Sequence, residues 1–146
     1  MSHVATIDVH ITDLTALEQA AKRLGLELVR DQKTYRWWGH SVGDYPLPEG
    51  FGKDDLGKCE HAIRIPGDNR AYEVGVVARR DGKPGFTLMW DFYAGGYGLE
   101  AKVGEGAKKL IQGYAVEKAR IAAMRQGLRV HETRRADGAV VLTCAK

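Results

Sequence analysis

Cys59, Glu60 and His61 form the most reactive triplet in this chain. On a strand, residues two apart point the same way, so Cys59 and His61 would sit about 6 to 7 Å apart on one face, loose for a thiolate–imidazole hydrogen bond but tolerable for two ligands of one soft divalent metal. His40 and Asp91 are the candidate spatial neighbours. A metal would need two further ligands, and His3, His10, His40 and His131 follow no Cys-x-x-Cys or His-x-x-x-His spacing. A buried cysteine beside a hydrogen-bonded histidine accounts for the same residues without chemistry. No Gly-x-Ser-x-Gly elbow, paired catalytic carboxylates or His-Glu-x-x-His pattern appears. The balance points away from an enzyme, and no metal or other cofactor is expected; a metal- or thiol-dependent enzyme using Cys59 and His61 is the minority alternative.

A second group is aromatic: Tyr35, Trp37, Trp38, His40 and Tyr45, then Trp90, Phe92, Tyr93 and Tyr97. Of the adjacent Trp37 and Trp38, one is expected inside and the other outside, where its indole offers a platform for a base, a proline or a partner side chain. Asp91 leaves an apolar strand and needs a partner; Arg64 or Arg79 on the same face would make a structural ion pair, and a ligand-orienting acid is the alternative. A third group is GGYGLEAKVGEGAKK, where glycines precede a helix that opens with Lys108 and Lys109. Backbone N–H groups and ammonium groups there would meet an anion. The Gly-Lys-Ser/Thr ending of a nucleotide-binding loop is missing, and a flexible linker explains the glycines as well.

Alternation and period place these groups. His3 to Ile11 alternates as a half-buried strand with its odd positions inward. A helix follows on Leu14, Leu17, Ala21 and Leu24, capped by Thr12 or Asp13 and stopped at Gly25. Leu26 to Asp31 and Thr34 to Gly39 read as short strands, a possible hairpin around Gln32-Lys33. Residues 40–57 are a long loop rich in glycine and proline. Lys58 to Ile65, Ala71 to Arg80 and Gly85 to Tyr93 then form an antiparallel meander. One face should bury Cys59, His61, Ile63 and Ile65 with Tyr72, Val74, Val76, Ala78, Phe86, Leu88, Trp90 and Phe92; the other should be partly wet. A second helix is expected over 104–126, stopped at Gly127, before a hairpin turning at Asp137-Gly138.

AKRLGLELVRD and AAMRQGLRVHE, at the two helix exits, echo one another, so the chain either holds two βαββ-like halves sharing a common sheet or reuses one helix-stop grammar. Both give an α+β fold: a mainly antiparallel sheet with two α-helices packed on one face. At 146 residues, with 44% apolar and 28% charged residues, the chain suits a single soluble domain over 1–146.

The net charge of +3 is too small to imply nucleic acid, but its distribution is uneven. Nine basic residues against three acidic ones leave 102–135 at +6 and the remainder at −3. That stretch would attract phosphates or an acidic surface, or is a solvated helix face followed by an edge strand protected by charge. Two widely separated cysteines suit a reducing compartment, and no leader or membrane span is recognisable, so a cytoplasmic location and no membrane partner are expected.

MSHVATIDVHITDLTALEQAAKRLGL, CEHAIRIPGDNRAYEVGVV, FTLMWDFYAGG and LIQGYAVEKARIAAMRQGLRVHETRRADGAVVLT together resemble the uncharacterised family typified by hypothetical reading frame thirty-five of algal chloroplast genomes, also found in cyanobacteria, other bacteria and phages. The resemblance spans nearly the whole chain except residues 40–57. It implies no activity, ligand or catalytic residue, and Gly113 departs from the family's larger residue before Tyr114.

The leading expectation is a small non-enzymatic interaction module that docks a protein partner, or a second copy of itself, through the aromatic loop and a sheet face. The alternative is nucleotide or nucleic-acid binding through the basic second helix. Trp37, Trp38, His40, Tyr45, Asp91, Tyr93, Lys108, Lys109 and Arg120 are the candidate binding residues.

Overall fold

Alternation in the first segment builds one edge of a sheet. In the computed structural model, which describes residues 3–39 and 46–146, β1 (Val4–Ile11) sends Ile7 and Ile11 to one face and Val4 to the other. The chain continues through α1 (Leu14–Arg23), β2 (Glu27–Arg30), β3 (His61–Arg64), β4 (Val74–Ala78), β5 (Phe86–Asp91), α2 (Leu99–Val103), α3 (Lys108–Arg125), β6 (Arg129–Arg134) and β7 (Val140–Ala145). The fold is α+β, with a five-stranded sheet in the order β1-β5-β4-β3-β2 whose neighbouring strands are all antiparallel. The strands β1 and β2, consecutive in the chain, lie at opposite edges, so α1 carries the chain across the whole sheet.

Local signals position α1. Asp13 caps it, its carboxylate accepting from the Ala16 N–H at 3.0 Å, and Gly25 follows its end at φ 76°. Ala16, Leu17, Ala20 and Ala21 are buried. The Tyr114 hydroxyl on α3 accepts from the N–H groups of Thr12 (2.9 Å) and Asp13 (3.2 Å), tying α3 to the start of α1. Gly113 packs close to α1: a Cβ there would stand 3.3 Å from Ala20 Cβ.

Both helices cover one face of the sheet, where Leu17, Leu110 and Tyr114 join Ile7, Ile11, Leu28, Ile63, Val74, Val76, Leu88 and Trp90 in one core. The opposite face is not the partly wet surface expected. Val4, Ala62, Val77 and Met89 form a second core there with Tyr35, Phe51, Leu56 and Cys59, and Trp37 and Leu47 pack at its margin. The cover is aperiodic chain between β2 and β3, which alternation within the strands cannot reveal.

That cover also replaces an expected strand and hairpin. Residues 34–39 make a single bridge, Thr34 to Lys58, and β2 pairs with β3 rather than with them. Their amides go elsewhere: the Tyr35 N–H donates to the Gly57 carbonyl (2.9 Å), that of Arg36 to the Glu73 carboxylate (2.7 Å) and that of Trp38 to the Asp91 carboxylate (3.3 Å). Of the expected 40–57 loop, residues 46–57 hold a short 3-10 turn (Lys53–Asp55) and bury Phe51 and Leu56.

The expected second helix, 104–126, is α3, and a further short helix, α2, precedes it across a turn in which Gly104, Gly106 and Ala107 have positive φ. The two expected halves do not share a sheet: β6 and β7 form a separate two-stranded sheet against α3. An ion network seats it, with Arg23 Nε on Glu117 (2.6 Å), Arg23 Nη1 on Glu132 (2.9 Å) and Arg120 on Glu132. Among the described residues, no helix is long and apolar enough to cross a membrane.

Candidate functional site

Alternation in β5 sends Leu88 and Trp90 to the helix-covered face and Met89 and Asp91 to the other. Asp91 is 0% exposed. A carboxylate in that position must be met by donors or by a cation. Its Oδ1 accepts from the backbone N–H groups of His3 and Tyr93, both at 3.1 Å, and its Oδ2 from that of Trp38 at 3.3 Å. One side chain therefore joins the start of β1, the segment after β2 and the turn after β5. The expected ion pair with Arg64 or Arg79 does not form: Arg64 bonds Glu27 (3.1 Å) and Arg79 bonds Asp81. Among the described residues, no basic group stands within ion-pair distance of Asp91.

Beyond Asp91 the chain turns with the unusual hand. Ala94 (φ 52°), Gly95 (66°), Gly96 (64°) and Tyr97 (54°) are consecutive left-handed residues within a turn spanning Tyr93–Gly98. For Ala94 and Tyr97 this conformation costs about 1–2 kcal/mol each, because Cβ crowds the following carbonyl. The turn is held by the Tyr72 N–H, which donates to the Gly96 carbonyl at 2.9 Å, and by Leu99 packed beneath Gly96. Gly95 and Gly96 thus shape a turn of defined hand.

Aromatic rings gather on this scaffold. Tyr72 and Tyr97 meet edge to face at 5.0 Å, and His3 and Tyr93 at 5.7 Å. Burial, then the negative charge of Asp91, pushes the Tyr72 phenol up to about 12. Trp38, Tyr93 and Tyr97 are 42%, 37% and 51% exposed, three of five large apolar side chains exposed among the described residues, the others being Met124 and Val141. Trp37 turns inward instead, its Nε1 only 2.4 Å from where a Cβ on Gly57 would stand.

The chain matches no protein-family model, no curated protein and no solved structure.

The other candidates lie elsewhere. His40 and Tyr45 fall outside the described residues. Cys59 and His61 are not partners: Cys59 precedes β3 and packs in the second core, where its thiol donates to the Gln32 carbonyl at 3.2 Å. His61 Nδ1 accepts from the Asp31 N–H at 2.9 Å, and its ring meets Phe86 at 5.4 Å. Burial, then the charges of Glu60 and Glu73, pushes the Cys59 thiol up to about 12, the opposite of an activated nucleophile. No group of three or more potential metal-binding side chains occurs among the described residues.

Lys108 and Lys109 open α3 and Arg120 lies within it, against the face of the sheet opposite Asp91. Lys109 borders a cleft of about 260 Å³ between α1, α3 and β7, and Arg120 is engaged with Glu117 and Glu132. Arg120 therefore serves the seat of the β6–β7 sheet. Sequence reasoning missed His3 as part of the site and assigned Tyr72 only to the core. Backbone donors such as the His3 amide have no side-chain signature, whereas glycines directly after a Trp90-Asp91 strand end were a usable signal for a special turn.

Proposed function

We propose that this chain is a non-enzymatic protein-interaction module whose docking surface is formed by Trp38, Tyr93 and Tyr97 around Asp91. One observation carries the reading: three large aromatic side chains from two remote segments stay exposed while the backbones of two of them, Trp38 and Tyr93, are fixed by a single buried carboxylate. Rigid aromatic side chains lose little conformational freedom on binding and dominate interface energetics. The left-handed turn adds support, because backbone strain of this kind persists where a surface must keep a particular shape. The separation of Cys59 from His61 leaves the thiol enzyme without its pair. The engagement of Arg120 with Glu117 and Glu132 takes away one of the three basic residues that nucleic-acid binding would use. The resemblance to the reading-frame-thirty-five family is proposed alongside and adds no activity.

The test is selection from a displayed peptide library on the wild-type protein, followed by affinity measurement against Trp38→Ala and Tyr97→Ala. Each truncation is expected to weaken the selected peptide by about tenfold or more. Equal affinity for all three proteins would move the docking surface elsewhere.

A further inference from the structure

The charges that seat the β6–β7 sheet cancel among themselves. Arg23 meets Glu117 at 2.6 Å and Glu132 at 2.9 Å, and Arg120 pairs with the same two carboxylates. Arg23 also lines the cleft of about 260 Å³ between α1, α3 and β7. Two further cations, Lys109 and Arg134, line that cleft, and among the described residues neither has an ion pair. Arg134 is held there by its own hairpin: its Nη1 donates to the Gly138 carbonyl at 3.3 Å, and Gln112 Nε2, from α3, donates to the same carbonyl at 3.0 Å. No carboxylate stands among the described residues that line the cleft.

The remaining walls are apolar or small. Leu24, just after α1, Val116 on α3 and Val140 on β7 line the cleft, with Ala20 and Gly113 where the two helices meet. A cleft lined by one sign of charge between apolar walls concentrates the opposite sign. Inorganic phosphate would answer the cations but set its hydrated oxygens against hydrocarbon. A neutral apolar molecule would cover the walls and leave Lys109 and Arg134 as they are. An anion with one charged head and an apolar body uses both. The volume admits about nine non-hydrogen atoms, at roughly the 30 Å³ that one water occupies in the liquid for each.

We propose that this cleft is a binding site for a small organic carboxylate, its head held by Lys109 and Arg134 and its apolar body laid against Leu24, Val116 and Val140. A carboxylate suits Arg134 in particular, because the guanidinium edge that the Gly138 contact leaves free, Nε and Nη2, presents two parallel N–H donors to two oxygens. The site is independent of the aromatic docking surface.

The test is an NMR titration of the full ¹⁵N-labelled chain, in a buffer free of carboxylate and phosphate, with three probes: hexanoate, hexan-1-ol, which keeps the body and lacks the charge, and inorganic phosphate, which has charge and no body. Hexanoate is expected to shift the backbone amides of Gly113 and Val140 and the side-chain amide of Gln112 saturably. Hexanol and phosphate should each bind about threefold more weakly or worse. Lys109→Gln and Arg134→Gln, both at exposed positions, should each weaken hexanoate by about threefold while amides remote from the cleft keep their wild-type shifts. Hexanol binding as well as hexanoate overturns the proposal, since the cleft is then merely apolar. Phosphate binding as well as hexanoate overturns it in favour of an inorganic anion. Affinity for hexanoate unchanged in both variants, or no saturable shift from any probe, overturns it outright.

Discussion

The Tyr35 ring rests on the bare backbone of Gly75: a Cβ at Gly75 would stand 2.4 Å from Tyr35 Cδ1. Gly75 lies mid-strand in β4, paired with Ala62 and Met89, so the missing side chain is what lets the covering segment descend onto the second face. Gly75→Ala is expected to destabilise the protein by about 1–3 kcal/mol, read as a lower urea midpoint.

The same residue offers a test with the opposite sign. Among the described residues the buried Tyr35 hydroxyl has no hydrogen-bond partner, and burial drives its pKa well above the usual phenol range; the Gly57 amide, outside hydrogen-bond geometry, offsets only part of that. Tyr35→Phe is expected to leave stability unchanged or raise it by about 1 kcal/mol, because it removes a buried polar group that folding leaves unanswered. A clear loss of stability in urea denaturation would show that the hydroxyl has a partner.

The left-handed turn should respond to glycine. Ala94→Gly relieves Cβ crowding at φ 52° and is expected to stabilise by about 1 kcal/mol after the entropy of the freed unfolded chain is subtracted. Tyr97→Gly should relieve the same strain while removing an exposed ring, so its peptide affinity falls even where its melting temperature does not. A melting temperature lowered by Ala94→Gly would remove strain from the account of this turn.

How far was this molecule legible before its coordinates? The helix-covered face was, because Ile63, Val74, Val76, Leu88 and Trp90 alternate without interruption and α1 and α3 have clear stops at Gly25 and Gly127. The second face was not. Ala62, Gly75 and Val77 are small or ordinary strand residues, and what covers them is loop with no period of its own. Cys59 fell out of phase with His61 because β3 begins only at His61, so alternation was extended past the strand's end. For Asp91 the need for a partner was readable, but amide donors look alike at every residue.

The two cysteines should separate cleanly in reactivity. Cys144 is exposed on β7, whereas Cys59 is buried with its thiol pushed up to about 12. One thiol per chain is expected to react rapidly with a maleimide at pH 7.5 in native protein and two in denaturant. Rapid modification of Cys59 in the folded protein, located by peptide mass mapping, would contradict its burial.

Acid should loosen the seat of the β6–β7 sheet. Burial raises the Glu132 pKa, but hydrogen bonds from Arg23 and Arg120 outweigh it and hold the carboxyl below its usual value of 4.5. The folded state then binds fewer protons than the unfolded one, so this contribution is complete above pH 4.5 and is lost as pH falls through the lower folded value. Glu132→Gln should be less stable than wild type at pH 7, with the difference narrowing on acidification below pH 4.5, as followed by thermal melts.

The placement of β1 and β2 at opposite edges bears on how the polypeptide assembles. Each of these early strands finds its neighbour only in later sequence, β1 in β5 and β2 in β3, so the first thirty residues contain no strand pair of their own. During synthesis β2 can pair once β3 has emerged, but β1, the first strand made, must wait unpaired until β5, the last of the sheet, has left the ribosome. Closure of the sheet on its first strand is thereby a late event.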